Sequence, residues 1–184
     1  KLPSSYGTEL ATRGSLGVRV LVQDYTNPHH PPRRLASVPP VGDNTFPVTV
    51  TALVTYAVKA NNALYLRYAA TTDKETVINM TNHSYFNLSG DPTQPITDHL
   101  LYVNADAFTP VDSTYMTTGE ILPVKDTPMD FTTPKAIADG VTDFDFEQVK
   151  FGNGYDHNWV LSTKGDDTAL AAKLSCPSTG ITLE

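Results

Sequence analysis

The stretch Asn79-Met80-Thr81-Asn82-His83-Ser84-Tyr85-Phe86-Asn87-Leu88-Ser89-Gly90 gathers the side chains best suited to chemistry on a small polar molecule. Amides, hydroxyls and an imidazole sit beside apolar Phe86 and Leu88. A sugar site calls for this mixture, because each hydroxyl needs a donor or acceptor while the apolar face of the ring packs on an aromatic side chain. Histidine, with an ordinary pKa of about 6.5, can hold a proton and still release it near neutrality, which makes His83 a candidate acid. The competing reading is a hydrogen-bonded structural histidine. Asp156 could accept from two hydroxyls at once, although by itself it reads as a turn or strand-end residue. Its neighbour His157 should point to the other face of a strand, in a structural role. Asp143, Asp145 and Glu147 alternate and offer the oxygen donors that calcium prefers, with a solvated acidic turn as the alternative. Cys176 is the single cysteine, so no internal disulfide and no multi-cysteine zinc site can form. Without a neighbouring cation it reads as a buried structural thiol.

The elements that would position these groups are strands. Val48, Val50, Ala52, Val54, Tyr56 and Val58 alternate with threonines at 49, 51 and 55, and Leu64, Leu66, Tyr68 and Ala70 resume the pattern. Lys59-Ala60-Asn61-Asn62 supplies a turn between them, because asparagine tolerates left-handed backbone, so residues 46–71 read as an antiparallel hairpin. Further strands are expected at Thr76–Met80, His99–Ala105, Glu120–Val124, His157–Leu161 and Ala169–Leu174. His99, inside one of these, reads as packing or surface. A single short helix is expected at Pro134–Ala138, with Thr132 or Thr133 as cap and Pro134 in the first position. Short strands with frequent turns indicate an all-β sandwich or barrel.

Charge and composition narrow the function. The net charge of −7 runs against a nucleic-acid partner held through phosphates, and no run of about 18 apolar residues suggests a membrane span. The N-terminal Lys1-Leu2-Pro3-Ser4-Ser5 has no apolar stretch of a secretory signal, which leaves the compartment open between cytoplasm and periplasm. Residues 1–44 carry five basic against three acidic side chains, a balance of +2 that leaves −9 for the remainder. Their Asn27-Pro28-His29-His30-Pro31-Pro32-Arg33-Arg34 run, followed by Pro39-Pro40, lacks the ladder donors of a central strand and reads as solvated chain; His29-His30 could in principle bind metal. Residues 1–41 are accordingly expected to form an atypical basic, Pro-rich segment ahead of a domain at 42–184.

The string Thr81-Asn82-His83-Ser84-Tyr85-Phe86-Asn87-Leu88 resembles the signature of the aldose 1-epimerase (galactose mutarotase) family. Supporting segments follow in the family's order: Pro110-Val111-Asp112 with Thr118-Gly119-Glu120, Thr127-Pro128-Met129-Asp130-Phe131, and Gly154-Tyr155-Asp156-His157-Asn158. Gly42-Asp43-Asn44-Thr45-Phe46-Pro47 is similar to the family's lead into the hairpin, with Val48 where a glycine is usual. The resemblance implies a galactose-mutarotase-like β-sandwich (supersandwich), here incomplete. It implies interconversion of the α and β anomers of free hexoses such as galactose or glucose, with no cofactor. His83 matches the acid that protonates the ring oxygen. Asp156 matches the aspartate that binds sugar hydroxyls, and Ser84 and Tyr85 lie beside the sugar.

Other parts of the family pattern do not occur in this sequence. The "NR" arginine and the "LHGG"-like histidine that hold the sugar have no counterpart in residues 1–41. The family's glutamate base comes from a segment downstream of the position that Glu184 occupies, so Glu184 is given no catalytic role. A damaged or partial copy with impaired turnover is therefore the expectation. Two other functions stay open: a non-catalytic carbohydrate-binding fragment, and a hexose-6-phosphate 1-epimerase. The latter wants clustered cations for its phosphate, and beyond residue 42 Arg67 is the only arginine. The sequence assigns neither an oligomeric state nor a preferred hexose.

Overall fold

The computed structural model describes residues 48–184, together with the backbone of Val18–Arg19 and Arg33–Ser37. His29 and His30, and most of the segment 1–41, lie outside the described residues. Two compact units divide the chain, residues 1–83 and 84–184.

The first unit holds one antiparallel sheet in the order β1-β2-β3-β4, from β1 (Val18–Arg19), β2 (Arg33–Ser37), β3 (Val50–Val58) and β4 (Leu64–Thr72). The expected hairpin is its centre, with Val50 opposite Thr72 and Val58 opposite Leu64. The turn forms as the asparagines predict. Asn62 adopts a left-handed φ of 63° and donates to the Lys59 carbonyl at 3.0 Å, and the Lys59 amide donates to the Ala63 carbonyl at 2.8 Å. At the open end the Thr49 amide donates to Asp73 Oδ1 at 2.9 Å, a bond that holds the Asp73 carboxyl below its usual range. Arg33 and Arg34 belong to β2, against the expectation of solvated chain there. The strand occupies the proline-free interval between Pro32 and Pro39, so the prolines bracket the ladder without interrupting it.

The second unit contains two sheets. One runs β11-β10-β5-β8, from β5 (Leu100–Val103), β8 (Lys135–Ala136), β10 (Ala172–Ser175) and β11 (Thr182–Leu183). The other runs β7-β6-β9, from β6 (Ala105–Thr109), β7 (Leu122–Pro123) and β9 (Asn158–Leu161). The strand expected over His99–Ala105 breaks at Asn104, where the chain changes sheets. The Asn104 amide donates to Ala171, its carbonyl accepts from Ser162, and its side chain donates to Leu170, at 2.8, 2.8 and 3.0 Å. Pro123 sits on edge strand β7, where a missing ladder donor costs least. Thr76–Met80, expected as a strand, runs as irregular backbone with Val77 85% exposed.

Pro134–Ala138 does not form the expected helix. Lys135 and Ala136 pair with Leu101 and Leu100 of β5, Ile137 donates to the His99 carbonyl, and a short 3-10 turn follows at Ile137–Asp139. Tertiary pairing overrides the local capping signal. The helix lies instead at α1 (Glu147–Gly152), which ends on Asn153 with a left-handed φ of 47°. Its Gln148 docks it: the buried amide accepts from the Val111 N–H at 2.8 Å and donates to the Val111 carbonyl at 3.0 Å. Above it sits a core of Phe108, Val124, Met129 and Val149, joined through Tyr155 and Trp159 to a second cluster of Val103, Ala105 and Phe131. The polar tips of the bridging aromatics are satisfied, Trp159 Nε1 on the Met129 carbonyl and the Tyr155 hydroxyl on the Pro128 carbonyl, both at 3.0 Å. Burial, helped by Asp139 and Asp143, pushes the Tyr155 phenol up to about 12. No helix among the described residues is long and apolar enough to cross a membrane.

Candidate functional site

His83 is the last residue of the first unit, and Ser84 and Tyr85 open the second. All three side chains are exposed, Tyr85 at 90%, on irregular backbone that continues to Asn87. The downstream end of the segment is clasped. Asn87 donates to the carbonyls of Asp91 and Gln94 at 3.3 and 2.9 Å, and its Oδ1 accepts from the Ser89 amide at 3.0 Å. Leu88 is held on both sides: its N–H donates to His99 Nε2 at 3.0 Å, and its carbonyl accepts from Thr179 Oγ1 at 2.8 Å.

Asp156 lies in the link between α1 and β9. Gly154 makes that link possible, since its φ of 125° is a conformation that side chains resist and a Cβ there would stand 3.3 Å from Val141 Cγ2. Gly140 is needed for a different reason: a Cβ there would run into the Tyr155 hydroxyl and stand 3.0 Å from the Pro128 Cβ. Asp156 is exposed whereas His157 is partly buried, both on irregular backbone ahead of β9. His157 packs edge-on against Phe108 with ring centroids 5.9 Å apart. Its Nδ1 accepts from the Asp156 amide at 3.3 Å, and its buried Nε2 has no hydrogen-bond partner among the described residues. Burial pushes its pKa below the usual histidine value, partly offset by Asp156.

The four predicted site residues thus share exposure and irregular backbone beside the strands. His83 falls in one unit, and Ser84, Tyr85 and Asp156 fall in the other. The residues drawn tightly together are ones the sequence did not single out as a group. Donor atoms of Asp98, His99 and Cys176 lie within 4.8 Å of one another, the one group among the described residues that could hold a metal ion. Both ring nitrogens of His99 are already engaged, Nε2 by Leu88 and Nδ1 by Asp98 Oδ1 at 2.8 Å, so a cation would have to displace one of them. Asp143, Asp145 and Glu147 form no such group, and the calcium expectation has no donor cluster behind it. Asp143–Phe146 is instead the turn that leads into α1.

Cys176 is buried, as expected. Its thiol is nevertheless brought down to about 7, chiefly by the Ser178 hydroxyl 3.2 Å away, with no cation among the described residues beside it. Register explains the cluster: Leu100 opposes Ser175 across β5 and β10, so the next pair outward is His99 with Cys176. Two of the family-like strings carry aspartates that close turns. Asp112 accepts from the Thr114 amide and hydroxyl at 2.7 and 2.6 Å, and Asp130 from those of Thr132 at 3.0 and 2.6 Å; these bonds close turns and hold both carboxyls below their usual range.

The family model described as aldose 1-epimerase matches residues 27–184. The galactose mutarotase of Sus scrofa is 35% identical over 147 residues, covering 80% of this chain and 41% of that protein. The aldose 1-epimerase of Escherichia coli strain K12 is 39% identical over 132 residues, covering 71% of this chain and 37% of its own. Among solved structures, the galactose 1-epimerase from Lactobacillus acidophilus NCFM superposes with a TM-score of 0.73 at 30% identity, over 88% of this chain and 45% of that one. The chain therefore spans well under half the length of the curated relatives it matches. With a family match across most of its residues, and with mostly β structure in open sheets like part of the solved epimerase fold, the chain belongs to the aldose 1-epimerase family.

Proposed function

We propose that the protein carrying this chain interconverts the α and β anomers of a free hexose by acid–base ring opening. His83 is the general acid on the ring oxygen, Asp156 accepts from sugar hydroxyls, and Ser84 and Tyr85 flank the ring. Protonation of the ring oxygen, with loss of the anomeric hydroxyl proton to a base, breaks the bond from C1 to the ring oxygen and leaves an aldehyde. Rotation of that carbonyl and reclosure with the proton transfers reversed give the other anomer, and no cofactor is consumed. None of the residues described here is assigned as the base, for which the family resemblance implies a glutamate. The observation that carries the reading is the unbroken string Thr81–Leu88 in a chain of this family, with its histidine and tyrosine exposed where a ligand can reach them.

A free hexose is favoured over a hexose phosphate. Arg67 is the only arginine past residue 42, where a phosphate would want a cluster of cations. The test is the rate of α-to-β exchange of galactose and glucose, followed by proton NMR on the purified protein and on His83→Asn. The substitution should lower the catalysed rate by about 10²–10⁴-fold while sugar-induced shifts at Tyr85 persist. Equal rates for the two proteins would remove His83 from the acid role, and sugar-induced shifts without any catalysed exchange would favour the binding module.

A further inference from the structure

We infer that His99 is a positioning residue for the Ser84–Leu88 segment, acting as a hydrogen-bond acceptor fixed in a single tautomer. The Leu88 N–H donates to His99 Nε2 at 3.0 Å. A ring nitrogen that accepts carries no proton, so the neutral ring keeps its proton on Nδ1, facing Asp98 Oδ1 at 2.8 Å. The ring is fully buried and cannot exchange these partners for water. Its own main chain is pinned as well, the amide donating to the Ile96 carbonyl and the carbonyl accepting from Ile137, both at 3.0 Å.

The anchor has a second arm. Thr179, in the turn joining β10 to β11, donates to the Leu88 carbonyl at 2.8 Å. The N–H and C=O of one residue are therefore tied to the ends of two strands that are neighbours in one sheet, β5 and β10. The clasp fixes the main chain at Leu88, from which the segment runs back on irregular backbone through Asn87 to Tyr85 and Ser84. Misplacement of reacting groups by about 1 Å can cost up to about 10²-fold in rate, which gives a structural clasp a functional consequence. That consequence rests on the mutarotase reading, whereas the clasp itself does not.

The test uses the full chain and side chains that imitate one ring nitrogen at a time. Glutamine can place an oxygen near Nε2, and asparagine near Nδ1. In the unsubstituted protein, long-range nitrogen–proton NMR should show the Nδ1–H tautomer of His99. Hydrogen exchange at the Leu88 amide should accelerate by about tenfold or more in His99→Ala and in His99→Asn, and return most of the way in His99→Gln. The catalysed anomer exchange should fall by about tenfold in His99→Ala and recover in His99→Gln, with His83 untouched. An Nε2–H tautomer, or equal Leu88 exchange in the glutamine and asparagine variants, would overturn the inference even if the alanine variant failed to fold. Catalysed exchange that ignores His99→Ala overturns the positioning role and leaves the mutarotase reading intact. Absence of catalysed exchange in the unsubstituted chain, together with the expected tautomer and glutamine rescue, leaves the clasp standing and is the impaired turnover expected of a chain in which no base is assigned.

Discussion

The hairpin of the first unit and the sheets of the second reach stability by different routes. Strands β3 and β4 run nine residues each in continuous register, yet among the described residues of that unit only Val48 is buried. The second unit has strands of two to five residues, and it contains every other buried apolar side chain, including Phe108, Met129 and Phe131 at 0–1% exposure. Among the described residues, the long alternating strands thus make a ladder with little fully buried apolar surface. Short strands make a core when turns and aromatic side chains close over them. In sequence, the division between the units falls within the Thr81–Leu88 string, after His83.

The sharpest way to break that contrast is to delete one inward side chain on each side of it. Phe131→Ala empties a position packed by Tyr155 and Trp159, with ring centroids 5.1 and 6.0 Å away, and should cost about 3–5 kcal/mol. Leu66→Ala removes a side chain that is only partly buried in β4 and should cost about 1 kcal/mol. Urea titrations followed by Trp159 fluorescence and by circular dichroism measure both. Similar costs for the two variants would mean that the hairpin is cored as well as the second unit.

The turns offer a smaller contrast of the same kind. Gly154→Ala meets both a φ of 125° and the Val141 methyl, and should destabilise by about 2 kcal/mol with loss of the Trp159 signal. Asn62→Ala meets only a left-handed φ of 63° at an exposed hairpin tip and should cost about 1 kcal/mol. Amide exchange should then rise at Lys59–Ala63 while the surroundings of Trp159 stay as they were. A global loss of protection in Asn62→Ala would contradict the picture of a locally determined hairpin.

What could be read from the residues follows the same division. The hairpin was legible because period-two alternation and an Asn-Asn turn are both local, and register followed from them. The helix expected at Pro134–Ala138 was lost to pairing of Lys135 and Ala136 with β5, a partner more than thirty residues away that no capping rule can sense. Helix α1 was missed because six residues show too little periodicity, although Asn153-Gly154 offered a stop signal. At the site, Thr81–Leu88 stood out as a string. The group formed by Leu88, His99, Thr179 and Cys176 did not, because it exists only through the register of β5 on β10.

The smallest expected effect concerns His157, which tests whether the second unit is closed enough to exclude charge. Burial disfavours its imidazolium, so its folded pKa lies below the unfolded value of 6.5, and Asp156 only partly counters this. Above about pH 6.5 neither state holds the proton, and the contribution to stability is constant. As pH falls from there toward the depressed folded value, the unfolded chain takes up a proton that the folded one refuses, so stability declines with acidification. One proton limits the slope to about 1.4 kcal/mol per pH unit. The window between about pH 6.5 and 5 lies above the ordinary carboxylate range, so Asp73, Asp112 and Asp130, whose carboxyls are held lower still, add no slope there. Urea midpoints read from Trp159 at pH 6 and 5, below the range in which the Cys176 thiol near 7 titrates, should fall on acidification in the unsubstituted protein. In His157→Gln the midpoint should be lower at both values, because the contact with Phe108 is lost, yet nearly independent of pH across the window. A glutamine variant that keeps the full slope would place the titrating group elsewhere and open the interior around Phe108 to water.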